Sequence, residues 1–131
     1  MIQRQLKNIL YAEDEDDIRA IAQIALEDIG LFTVRYCING KHALEIAKSY
    51  TPDLILLDVM MPEMDGPTTL AELRKITDFT DIPAIFMTAK IQVNEIEEYK
   101  ALGAIDVIAK PFDPITLAET IQNAWLKYHE H

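Results

Sequence analysis

The stretch that most constrains this chain is Pro52-Asp53-Leu54-Ile55-Leu56-Leu57-Asp58-Val59-Met60-Met61-Pro62. Leu54 to Leu57 are apolar without a break, and the run stops at the carboxylate of Asp58. A run this short, closed by proline on both sides, fits a strand buried on both faces, as strands are inside a parallel sheet. In open α/β sheets ligands bind outside the carboxyl ends of the strands, so Asp58 would stand at the rim where chemistry is sited. Asp is also a common turn residue. The stretch alone leaves both readings open.

The remaining chain repeats the pattern. Asn8-Ile-Leu-Tyr-Ala12 reads as a first strand that ends in Glu13-Asp14-Glu15-Asp16-Asp17. Ile18, Ile21, Ala22, Ala25, Leu26 and Ile29 then recur at the helical period, and Gly30 stops them. The acids fall at that helix's N-terminus, where the dipole favours them. Capping accounts for one or two of them, not comfortably for all. A second strand covers Phe32 to Cys37, and Asn39-Gly40 opens a helix over Lys41 to Tyr50. After Asp58, Asp65 caps the next helix and Pro67 fits its first turn. A fourth strand, Ala84 to Met87, ends at Thr88, followed by a helix from about Val93 to Leu102 closed by Gly103. A fifth strand, Ile105 to Ala109, ends at Lys110-Pro111. Asp113-Pro114 opens a last helix with Leu117, Ile121, Ala124 and Tyr128 on its buried side. Alternation of strand and helix predicts an α/β fold with helices on both faces of a five-stranded parallel sheet. One domain over residues 1–131, with its core at about 7–128, accounts for the pattern.

Composition narrows the partners. A net charge of −10 argues against direct contact with nucleic acid, whose phosphates attract basic patches. No apolar run approaches the roughly 20 residues that span a bilayer, and no signal peptide is visible, so a cytoplasmic protein is expected. Cys37 is the single cysteine, which suits a reducing compartment and reads as a buried, inert thiol. His42, His129 and His131 read as surface residues and form no cluster, which argues against zinc.

The strand ends carry the chemistry. In a doubly wound sheet of order 2-1-3-4-5, Glu13 and Asp14 (strand one), Asp58 (strand three), Thr88 (strand four) and Lys110 (strand five) converge at the switch point. Carboxylates clustered this way raise one another's pKa unless a cation joins them, and Mg2+ takes such oxygen ligands. A carboxylate, a hydroxyl, a lysine and Mg2+ suit phosphoryl transfer, with Asp as nucleophile. No glycine-rich phosphate loop is present, so a nucleotide donor is not indicated.

With these residues assembled, the sequence resembles the receiver domain of the response regulators of two-component signalling, a flavodoxin-like fold. The matching segments are Ile9-Leu-Tyr-Ala-Glu-Asp14, Asn39-Gly40 with Ala43-Leu44, Pro52 to Asp58, Met60-Met-Pro-Glu-Met-Asp-Gly66, Met87-Thr-Ala89 and Ala109-Lys-Pro-Phe112, nearly the whole chain. The resemblance implies that Asp58 accepts a phosphoryl group from a phosphohistidine on a sensor histidine kinase or phosphotransfer protein. It implies Mg2+ bound by Asp14, Asp58 and the backbone carbonyl of Met60, with Glu13 acting through water. Thr88 would bond the phosphoryl oxygen, and Lys110, aimed inward by a cis Lys110-Pro111 bond, would pair with it. The implied protein is a regulatory module, not a metabolic enzyme. It would change its binding to a downstream effector protein through the fourth helix, fifth strand and fifth helix, with Lys90, Tyr99, Val107 and Trp125 as candidate contacts. A phosphorylation-dependent homodimer is a further option. The alternatives are a receiver fragment of a larger regulator or hybrid kinase, and an aspartyl-phosphate phosphohydrolase. Against the latter, Met60 occupies the place of its second acid. Four positions depart from or elaborate the family pattern. Glu13 stands for the more frequent Asp. Val107 stands where the family often has Tyr or Phe. Met60 and Lys90 flank the site, where they would influence access of attacking water.

Overall fold

The structure, a computed structural model, describes residues 5–89 and 92–130, so Lys90 and His131 lie outside the described residues. Its elements run β1 (Asn8–Ala12), α1 (Asp16–Gln23), a π-helical continuation (Ile24–Ile29), β2 (Thr33–Cys37), α2 (Gly40–Ala47) and β3 (Leu54–Asp58). They continue with α3 (Gly66–Leu73), a short 3-10 turn (Thr77–Phe79), β4 (Ala84–Thr88), α4 (Val93–Ala101), β5 (Ala104–Ala109) and α5 (Leu117–His129). The strands pair in parallel in the order β2-β1-β3-β4-β5, as the alternation predicts.

Every residue of β3 and β4 is buried, because helices cover both faces of the sheet. Alternation sorts their side chains into two layers. Ile9, Tyr11, Leu54 and Leu56 pack with Leu26, Ile121 and Trp125 on one side. Leu10, Ile55 and Leu57 pack with Ala43, Leu70 and Leu73 on the other. A slip of one residue would exchange the two sets, so burial worth about 1.5–3 kcal/mol per large side chain fixes the register. Register in turn fixes which residue stands at each strand end.

Local signals set the helix starts. Asn39 Oδ1 accepts the His42 N–H at 2.7 Å, and Asp65 Oδ1 accepts the Thr68 N–H at 2.8 Å. His42 is more than a surface residue, since its Nδ1 accepts the Ile38 N–H at 3.1 Å. His129 is likewise half-buried, its ring 4.2 Å from that of Trp125.

Two helix faces differ from the sequence pattern. The first helix widens at its end, where the Gly30 N–H bonds the Ala25 carbonyl five residues back at 3.1 Å. Its inward stripe is the narrow set Ala22, Ala25 and Leu26, leaving Ile21 and Ile29 46% and 43% exposed. On α5 the inward positions are Leu117, Ile121 and Trp125, four residues apart, and Tyr128 falls outside them. Trp125 is 2% exposed and its indole N–H donates to the Asp53 carbonyl at 3.4 Å. It is a core residue at the amino-terminal edge of the sheet and cannot serve as an output contact. Tyr99 is half-buried, its ring edge-on to Phe86 at 5.3 Å.

Cys37 is fully buried, and burial pushes its thiol up to about 12 against a weaker opposing pull from Arg35. Native Cys37 is therefore expected to alkylate at pH 8 at least about 100-fold more slowly than in the urea-unfolded chain, because the thiolate is the reactive form. Timed iodoacetamide labelling read by mass checks this. No described helix is long and apolar enough to cross a membrane.

Candidate functional site

Asp58 is the last residue of β3, so its carboxyl emerges where the strand's burial ends, and the residue is only 3% exposed. Glu13 directly follows β1, which lies beside β3 with Ala12 opposite Leu57. Glu13 is fully buried and Asp14 half-buried. One carboxylate oxygen from each of Glu13, Asp14 and Asp58 lies within 4.8 Å of the others. Lys110 follows β5, its backbone N–H held by the Thr88 carbonyl at 2.9 Å, and the Lys110-Pro111 bond is cis. Its side chain reaches across the end of β4. Nζ sits 2.9 Å from Glu13 Oε1 and 3.1 Å from Asp58 Oδ2. Thr88 ends β4 between them, 4% exposed. Met60, two residues past Asp58, has an exposed side chain. The fold thus gathers Glu13, Asp14, Asp58, Thr88 and Lys110 at one edge.

The electrostatics follow from burial. Burial raises the Glu13 carboxyl, the Lys110 hydrogen bond draws it back, and the Asp58 charge raises it again, leaving it near 7. Burial alone would lower Lys110, but its hydrogen bonds to Glu13 and Asp58 outweigh that and hold it above its ordinary value. Among the described residues three carboxylates face one ammonium, a donor set of hard oxygens with negative charge in excess. No histidine or cysteine among the described residues joins the cluster. That set fits a hard divalent cation such as Mg2+ and does not fit zinc.

Several residues of the site escaped the strand-end reasoning. Tyr11, buried in β1, donates its O–H to Glu13 Oε1 at 3.4 Å, and the Glu15 N–H donates to Oε2 at 3.3 Å. Tyr11 and Glu13 lie two residues apart and so share a face, a signal the sequence does carry. Arg19 donates to the Glu13 carbonyl at 2.5 Å and pairs with Asp16, pinning the acidic loop. The Gly66 N–H bonds the Val59 carbonyl at 2.9 Å, folding the loop after β3 back onto it. A cleft of about 380 Å³ opens over Asp58 and Lys110, walled by Ile18, Ile21, Met60, Pro111 and Phe112.

A sequence profile of the response regulator receiver domain matches residues 9–122 of the chain. The chain belongs to this family. Receiver domains are the phosphorylation-dependent switches of two-component signalling; they are regulatory and bind Mg2+ in an acidic pocket. Among its relatives, the probable transcriptional regulator ycf27 of Cyanidium caldarium is 40% identical over 88% of this chain and 45% of its own length. Response regulator Rre1 of Synechocystis is 32% identical over 88% of this chain and 50% of its own length. The chain spans about half the length of these curated relatives. The solved structure of the chemotaxis response regulator CheY4 of Vibrio cholerae superposes with a TM-score of 0.83 at 30% identity. That match covers 92% of this receiver domain and 99% of CheY4. The signal receiver domain of a histidine kinase from Syntrophus aciditrophicus matches with a TM-score of 0.79 at 29% identity, over 95% and 94% of the two chains.

Proposed function

We propose that Asp58 is the phosphoacceptor of this receiver domain, loaded from the phosphohistidine of a sensor histidine kinase or phosphotransfer protein. One observation carries the reading. A single ammonium, that of Lys110, touches both the buried Asp58 carboxylate and Glu13, so a cation already stands where phosphoryl charge would arrive.

In the proposed step an Asp58 carboxylate oxygen attacks phosphorus. An O–P bond forms as the donor's N–P bond breaks, and the electron pair leaves on the imidazole nitrogen. Lys110 turns from Glu13 to a phosphoryl oxygen, and the Thr88 hydroxyl takes another. Asp14, Asp58 and the Met60 carbonyl would hold Mg2+, with Glu13 acting through water. When bound, the ion neutralises charge on the transferring oxygens. The apolar walls of the cleft suit a donor presented on a protein surface better than a free anion. Modification then changes binding to a downstream effector protein, or to a further segment or second copy of the receiver. Val107 pairs with Phe86 beside the site and carries no ring to swing, which favours readout through the loops and α4. The free buried Cys37 accords with a cytoplasmic location.

Incubation with a small phosphodonor and Mg2+, followed by intact mass measurement, tests the reading. Wild type is expected to gain one labile phosphate and Asp58→Asn none. No adduct on wild type from any donor or kinase would sink it.

A further inference from the structure

We propose that Tyr11 is a positioning residue of the acidic pocket, its buried phenol holding Glu13 in place when Lys110 turns away. This rests on the reading of Asp58 as phosphoacceptor. Tyr11 is fully buried, its ring edge-on to Tyr36 at 6.1 Å between centroids. Its O–H points at Glu13 Oε1, the same oxygen that Lys110 binds. Among the described residues Glu13 therefore has one donor on a long flexible arm, Lys110, and two held by the fold, Tyr11 and the Glu15 N–H. Pairing Lys110 with a phosphoryl oxygen removes the first of these. A fully buried carboxylate left short of donors resists that move, since an unsatisfied buried charge is costly. At 3.4 Å the phenol bond is loose while Lys110 holds the oxygen, with room to shorten once it goes. The two residues are also matched in reach. The longer Glu side chain can return its carboxyl to a phenol two residues back on the same face, whereas an Asp at position 13 would withdraw it.

Tyr11→Phe removes only the O–H and keeps the packed ring. Initial phosphorylation rates from a small phosphodonor, measured across Mg2+ concentrations, are expected to show a maximal rate about 5- to 10-fold lower, the equivalent of one hydrogen bond. The Mg2+ concentration for half-maximal rate should stay within about twofold, because Asp14 and Asp58 are untouched. In EDTA, Tyr11→Phe should lower the melting midpoint by about 3 °C, a shift that needs no metal or phosphodonor. In a Glu13→Asp background the same substitution should change neither rate nor midpoint. Equal effects in both backgrounds, or a wild-type maximal rate in Tyr11→Phe, would overturn the role of Tyr11 while leaving Asp58 as acceptor. A wild type that takes up no phosphate would overturn both.

Discussion

Lys110→Met is expected to destabilise the metal-free protein by about 3 kcal/mol, the scale set by removing one partner of a buried ion pair. Methionine keeps the apolar stem and removes only the charge. What remains is a fully buried Glu13 and a nearly buried Asp58, close together without the Lys110 ammonium between them. Saturating Mg2+ should narrow the deficit, because a cation that binds the folded form alone stabilises it by mass action. Urea unfolding followed by circular dichroism, in EDTA and then in Mg2+, gives both numbers. The same variant should lose phosphorylation rate by on the order of 100-fold, as when one preorganised charge contact is removed from a transferring group. A variant as stable as wild type in EDTA would mean that the carboxylates do not depend on Lys110.

Gly66→Ala acts on the same carboxylate through the backbone. A Cβ at Gly66 would lie 2.5 Å from the Asp58 carbonyl oxygen and 3.1 Å from Val59 Cα. Neither atom belongs to a flexible side chain, so the strand end or α3 has to move. Overpacking of this kind costs about 1–3 kcal/mol. The larger effect falls on transfer, since a displacement near 1 Å at the reacting group can cost about 100-fold in rate. The expected result is a folded protein with a modestly lowered urea midpoint and a phosphate uptake rate about two orders of magnitude lower. Unchanged uptake would show that the loop yields without moving Asp58.

The fold was legible because a strand buried on both faces must be apolar at every position, as Leu54 to Leu57 are. Parallel pairing then brings all carboxyl ends to one edge, so Glu13, Asp14, Asp58, Thr88 and Lys110 could be gathered by noting where each apolar run stops. The bonds among them were not legible. Lys110 divides itself between Glu13 and Asp58 only because its arm crosses the end of β4, a matter of side-chain reach that no spacing encodes. Tyr11 read as strand filler, since an apolar ring and a phenol directed at a site occupy the same place in the pattern. Helix faces were ambiguous for a related reason. Trp125 and Tyr128 both continue the stripe of α5, and packing beneath Asp53 decided for the larger ring. Ile21 and Ile29 fit the helical period, but the buried stripe is the narrower set Ala22, Ala25 and Leu26, which leaves the isoleucines largely outside.

The position of Trp125 has a practical consequence. It is the only tryptophan of the chain, and it sits against Asp53, at the opposite end of β3 from Asp58. Five rises of extended strand separate the two, about 16 Å at the usual rise per residue. The chain thus carries its fluorophore beyond the direct quenching reach of the acidic pocket. Its emission is an index of whether the sheet and α5 remain docked, nearly blind to what occupies the far edge, so conformational integrity and occupancy can be read on separate channels.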